Sequence, residues 1–199
     1  EYDYPAIDII NEPGKVFKYS GGGFLVLEYI IEEISKKSID IISKSFFENL
    51  GLKELNFQQK SILESKYAFG YDDNKNEIID GYKMFPSFAA GMMGTSKNLM
   101  IFLKHLAQAH KDLNGSGGIS HDTAVNMLNG KDLGCQEFMK ANMGLGVFIV
   151  EAGENKFMLH QGANDGFRAI YLYCFSGPDT HKGLSILCNA NLNGVVLNS

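Results

Sequence analysis

The chain has 199 residues, 45% of them hydrophobic, and a formal net charge of -5, with a sequence pI near 5.5. That length suffices for one substantial core and at most two domains. No run of about 18 apolar residues occurs, so nothing reads as a membrane-spanning helix. Lysines are scattered rather than clustered, which argues against nucleic acid as a partner. Cys135, Cys174 and Cys188 are an odd number without CxxC or Cys/His metal spacing, and read as small apolar residues in or near strands. No metal or organic cofactor is implied. Glu1 to Pro5 lack the basic start and apolar stretch of a signal peptide, so the chain reads as a mature or excised piece.

In chain order, the turn at Pro13-Gly14 feeds a short β-prone run, Lys15 to Tyr19, which breaks at Gly21-Gly22-Gly23. Tyr19 therefore sits at a turn, where backbones approach closely and a phenol can be aimed. From Phe24 to Ser35, Leu27, Ile30, Ile31 and Ile34 recur at spacings of three and four, predicting an amphipathic helix packed on one face. Ser38 can cap a second helix with Ile39, Ile42, Phe46 and Leu50 on one side, ended by Gly51. Residues 53–85 are less regular; Lys66 to Tyr71 followed by Asp72 to Asn76 predicts a strand entering a polar turn.

Ala89 to Leu99 is a glycine-punctuated loop leading to a helix with Thr95 as N-cap and a stripe of Leu99, Phe102, Leu103 and Leu106. A polar loop, Lys111 to Gly118, precedes a short helix capped by Ser120 and running to Leu128. His105, His110 and His121 read as surface or cap residues, because no metal-ligand pattern accompanies them. After Asn142 the composition changes. Met143 to Val150, Lys156 to Gly162, Phe167 to Cys174 and Gly183 to Asn189 are strand-like runs joined by short turns, which forces an antiparallel meander. The expectation is one α+β domain, residues 1–142 mainly helical and 143–199 a sheet that needs a helical layer on each exposed apolar face.

Two stretches carry a resemblance. Pro13-Gly14 with Tyr19-Ser20 ahead of a long helix, and Leu159-His160-Gln161-Gly162-Ala163 on a strand, resemble motifs of the serine β-lactamase and penicillin-binding protein superfamily. The likeness is to its class C β-lactamase, D-Ala-D-Ala carboxypeptidase and esterase branch. Phe46 to Leu52 and Ala89 to Leu99 are similar to structural segments of the same branch, with Leu52 for a methionine and Met92 for a glycine. The resemblance implies a β-lactamase/transpeptidase-like fold and an acyl-enzyme mechanism on an amide or ester: a peptidoglycan-like D-peptide, a β-lactam or an ester.

By that resemblance Tyr19 is the proton-transfer group of a serine hydrolase. His160, with Gln161 and Gly162, takes the position where many relatives have Lys-Thr-Gly. His160 would tune Tyr19 or orient a substrate carboxylate if charged, and offer one donor and one acceptor if neutral. Gly162 lets substrate lie against the strand, and the Ala163 backbone N–H supplies one oxyanion donor. Gly21 stands where class C β-lactamases carry an Asn that holds the substrate's acylamide, so efficient β-lactam turnover is not expected.

No serine in the chain has a lysine three positions on, although the family's Ser-x-x-Lys supplies the nucleophile and the lysine that assists it. The expectation is a fragment lacking both ends of a larger domain, inactive by itself, whose partners are a small-molecule or peptide substrate and the missing N-terminal segment as a separate chain or a second copy. Its location would be the cell envelope or periplasm if it follows the family. The alternative is a non-catalytic binding module, a pseudoenzyme. Loops at 72–85 and 111–142 would set the substrate.

Overall fold

A computed structural model describes residues 8–57, 67–78 and 86–191. The described chain runs α1 (Gly21–Ser35), α2 (Ile39–Asn49), α3 (Ser87–Ala90), α4 (Ser96–Lys111), α5 (His121–Leu128) and α6 (Cys135–Met139), then β1 (Asn142–Met143), β2 (Phe148–Ala152), β3 (Asn155–Asn164), β4 (Phe167–Ser176) and β5 (Gly183–Cys188). The strands form one antiparallel sheet in sequence order. This is the expected α+β meander with one difference: Met143 to Val150 is two strands. Gly146 has φ 75 and the Gly144 N–H donates to the Val147 carbonyl at 2.8 Å, turning the chain between β1 and β2.

The period-two alternation of a strand sends neighbouring residues to opposite faces. Ile149, Met158 and Tyr173 join the main core with Leu103, Leu106 and Ala107 of α4 and Ala124 and Leu128 of α5. Phe148, Val150 and Leu159 face the other way, into a smaller cluster with Cys135, Ala141 and Phe17. α4 owes its place to the predicted stripe, with Leu103 and Leu106 buried, and to the Thr95 hydroxyl, which accepts the Asn98 N–H at 3.2 Å. Ser120 caps α5 in the same way, accepting from Thr123 at 3.1 Å.

Four expectations need correction. Helix α1 exists, but none of its residues is buried, and Leu27, Ile30 and Ile34 of the predicted packing stripe are exposed. Its main described contact is with α3, where Glu28 accepts the Phe88 N–H at 3.0 Å. On α2 the buried aromatic is Phe47 rather than Phe46: Phe47 belongs to the main core with Leu50, Leu52 and Leu55, and its ring centroid lies 6.2 Å from that of Phe57. The helix start is closed not by the Ser38 side chain but by Glu32, whose carboxylate accepts the Ile39 N–H at 2.7 Å. Finally, the three histidines are half-buried tethers. His105 Nδ1 lies 2.8 Å from the Ser116 hydroxyl, His121 Nδ1 lies 3.0 Å from the Ala109 carbonyl, and His110 packs edge-on against Phe175.

The polar turn at Asp72 forms as expected: Asp72 Oδ1 accepts the N–H groups of Asn74 and Asn76, both at 2.8 Å. Of the strand expected over Lys66 to Tyr71, Lys66 lies outside the described residues, as do residues 79–85 of the first proposed substrate loop, while residues 67–70 form no strand and Tyr71 makes only isolated bridges, to Glu77 and Ala190. Tyr71 docks beside the segment after β5, donating to Asn189 and accepting from Asn191, each at 3.0 Å. Among the described residues the sheet leaves Leu184, Ile186 and Leu187 of β5 exposed.

The turn between β3 and β4 is held where these segments meet. Gly166 has φ 78, and a Cβ there would lie 2.8 Å from the Gly70 backbone. Left-handed backbone costs an L residue about 1–2 kcal/mol, and the crowding adds to it. Gly166→Ala should therefore lower unfolding free energy by at least about 1–2 kcal/mol in urea titration. An unchanged midpoint would show that the turn relaxes freely.

Candidate active site

Tyr19 is the residue before the N-cap of α1. The Ser20 hydroxyl accepts the Gly23 N–H at 3.0 Å, so the helix begins one residue beyond the tyrosine and leaves Tyr19 in extended chain. Upstream, the Phe17 N–H donates to the Leu133 carbonyl at 2.8 Å and ties this segment to the approach of α6. Phe17 packs edge-on against Phe148, with ring centroids 5.9 Å apart.

His160 comes from β3, just past the point where its pairing with β2 stops. The β2–β3 ladder ends at Phe148 opposite Leu159, and the His160 ring lies 5.3 Å from that of Phe148 and 6.4 Å from that of Tyr171. The structure brings Tyr19 to this strand, its ring centroid 6.3 Å from that of His160. Gln161, Gly162 and Ala163 follow on the same strand, Gly162 and Ala163 exposed. Gly21 opens α1 two residues after Tyr19, opposite Ala89 of α3. The Asn164 side-chain amide donates to the Ala90 carbonyl at 3.0 Å, tying the end of β3 to that short helix.

Because β2 begins only at Phe148, no described strand pairs with residues 160–164 on that side of β3. Antiparallel neighbours alternate between pairs that exchange hydrogen bonds and pairs that do not. A two-residue loop, Gly153-Glu154, closes on Ala152 and Asn155, so the hydrogen-bonded pairs alternate from there to Phe148 and Leu159. The same alternation turns the backbone groups of Gln161 and Ala163 to the unpaired edge. An extended substrate placed there meets two N–H donors in a row.

The charge on His160 follows from its contacts. Its Nδ1 lies 2.7 Å from the Gln161 carbonyl oxygen, which can only accept, so Nδ1 carries the proton and Nε2 is left as an acceptor. Burial pushes its pKa below the usual histidine value, partly offset by that hydrogen bond. Of the two roles open in the sequence, the neutral one is favoured. Tyr171, the partner of His160 across the ladder, is partly buried, and desolvation raises its phenol well above the usual range. Tyr171 keeps its proton and serves as a wall.

Neither Gly21 nor Gly162 is forced to be glycine by crowding. A Cβ at Gly21 would meet Ala89 at 3.7 Å and one at Gly162 would meet Ala169 at 3.5 Å, both ordinary contacts. What sequence reasoning missed is the aromatic frame of Phe17, Phe138, Phe148 and Tyr171. Only the alternation of Phe148 in a strand-like run gave any signal for it. Among the described residues no group of three His, Cys, Asp or Glu side chains could hold a metal ion.

A family model described as Beta-lactamase matches residues 5–196. Among solved structures, a D-stereospecific amidohydrolase from Streptomyces sp. is similar over 89% of this chain and 52% of its own, at 16% identity and TM-score 0.70. The D-amino acid amidase from Ochrobactrum anthropi SV3, complexed with D-phenylalanine, matches over 90% and 57% at 19% identity and TM-score 0.65. A class C beta-lactamase matches over 94% and 56% at 16% identity and TM-score 0.71. The chain thus spans about half the length of these structures. No curated protein sequence matches it.

Stability should depend on His160 and also on His110, whose pKa burial likewise lowers, with His121, Lys111 and Lys156 adding to the shift. A histidine with a lowered folded pKa binds fewer protons than the unfolded chain, so its contribution is complete above about pH 6.5 and is lost as pH falls toward the folded value. The melting temperature should drop between pH 7 and pH 5, and the drop should shrink in His160→Asn. A melting temperature that holds level over that range would overturn this assignment.

Proposed function

Because the chain belongs to the Beta-lactamase family, we propose that it is part of a serine acyl hydrolase that cleaves an amide or ester through an acyl-enzyme. The nucleophilic serine and its assisting lysine come from sequence this chain does not contain, since no Ser-x-x-Lys occurs in it. One observation carries the reading. Tyr19 and His160, distant in sequence, have ring centroids 6.3 Å apart beside a strand edge that no described strand pairs. A pure binding module has no chemical need for a phenol at that place.

In this mechanism the serine Oγ attacks the substrate carbonyl while its proton passes to the Tyr19 oxygen and the phenol passes its own proton to the assisting lysine, which returns it to Tyr19 when the leaving group is protonated. The Ala163 N–H, with that of the nucleophile, holds the oxyanion; losing one such donor typically costs about 3 kcal/mol. As the tetrahedral intermediate collapses, the bond to the leaving nitrogen or oxygen breaks and Tyr19 returns the proton to it. Water then repeats the cycle on the acyl-enzyme. Neutral His160 presents Nε2 as an acceptor and orients an N–H of the substrate. Gly162 keeps the strand flat where the substrate lies.

Amides of D-amino acids are the first substrates to try, followed by esters and β-lactams. The Streptomyces and Ochrobactrum structures named for D-amide hydrolysis support that order, and Gly21 in place of an acylamide-holding Asn moves β-lactams down it.

Two measurements test this. The chain by itself should form no covalent adduct with a reactive penicillin; a stoichiometric acyl shift on one serine in mass spectrometry would overturn the placement of the nucleophile. In the complete protein Tyr19→Phe keeps the ring and removes the proton carrier, so kcat should fall by about 100- to 10,000-fold with little change in KM. Ester or amide turnover near the unmodified rate would sink the assignment of Tyr19.

A further inference from the structure

We propose that Phe138 is a positioning residue for Tyr19: its ring, stacked on the phenol, sets the direction in which the Tyr19 hydroxyl points. The proposal rests on the reading of Tyr19 as proton carrier and names what holds that group in place.

Tyr19 is 55% exposed, and no described residue hydrogen-bonds its hydroxyl. A side chain so placed turns freely about χ1 and χ2 unless its ring is held. Two rings touch it. His160 is tilted by 45° at 6.3 Å, whereas Phe138 lies closer to parallel, 27° at 6.0 Å. The stacked contact opposes displacement of the ring and so restricts χ1, the rotation that moves the hydroxyl oxygen; χ2 turns the ring about the axis through that oxygen and leaves it in place.

Phe138 is in turn clamped from behind. Its ring centroid lies 5.8 Å from Phe17 and 6.2 Å from Phe148, and Phe148 is fully buried against the sheet. Its helix, α6, is bracketed by two left-handed residues, Gly134 at φ 86 and Lys140 at φ 50. At one end the Gly134 N–H donates to Asp132 Oδ1 at 3.1 Å; at the other the Gln136 amide donates to Asn142 Oδ1 at 3.0 Å. So α6 is fixed to the start of the sheet and offers one large apolar ring, 57% exposed, to the outside. A solvent-facing phenylalanine on a five-residue helix gains little from burial there. Contact with Tyr19 gives it a task.

The test uses the whole chain with 13C-labelled tyrosine rings, the Tyr19 signals being assigned by their loss in Tyr19→Phe. Stacking should place the Tyr19 ring protons upfield of their unfolded positions. Phe138→Leu keeps most of the bulk but no π-face, and should return those signals to the unfolded positions while the Tyr171 signals stay unmoved. Phe138→Tyr should restore the upfield shift. In the complete enzyme Phe138→Leu should lower kcat by about tenfold with KM unchanged, because small displacements of a reacting group are costly. Tyr19 signals that are identical in Phe138→Leu and the unmodified chain would overturn the proposal. Loss of hydrolysis by the unmodified complete protein, with the ring shift intact, would instead strike the proposed function and leave the stacking assignment standing.

Discussion

Phe148 is the residue on which both halves of the candidate site bear. It is the residue of β2 at which the ladder with β3 ends, and the fully buried floor beneath His160, Phe17 and Phe138. A ladder that stops there leaves the next residues of β3 without a described partner on one side, and a large ring at the stopping point fills what would otherwise be a void. The two consequences are linked: the same truncation that frees the edge also makes room for the segment carrying Tyr19. Removing the ring would leave a cavity under His160, and such cavities in well-packed interiors are costly.

The electrostatics of the site follow from that packing. A histidine enclosed by Phe148, Tyr171 and Tyr19 is poorly hydrated, so its charged form is disfavoured, and its Nδ1–H is already given to the Gln161 carbonyl. With Nδ1–H given to that carbonyl, the neutral ring presents Nε2 as an acceptor.

The two layers of the fold are unequal. The sheet face toward α4 and α5 is sealed by Leu103, Leu106, Met158 and Phe175. The stripe of α1 and the side chains Leu184 and Ile186 of β5 remain exposed. Helix amphipathicity says that a face is apolar, not what covers it. For this reason the expectation that α1 packs on its leucine and isoleucine stripe was right about the helix and wrong about its burial.

Local physics determined much from sequence alone. The helices over α2, α4 and α5, the caps at Thr95 and Ser120, the meander and the polar turn at Asp72 follow from periodicity, capping and turn chemistry among near neighbours. The positions of Tyr19 and His160 were legible only through motif order. Other features were not legible, because each depends on atoms far apart in the chain. Phe47 rather than Phe46 enters the core because the side of α2 that is enclosed is set by residues brought from elsewhere in the chain, Phe57 among them. Glu32 rather than Ser38 closes α2 because the linker folds a carboxylate back onto it. The neutral state of His160 and the stacking of Phe138 on Tyr19 were decided by tertiary packing, since burial and ring geometry are properties of the assembled molecule and not of any stretch of sequence.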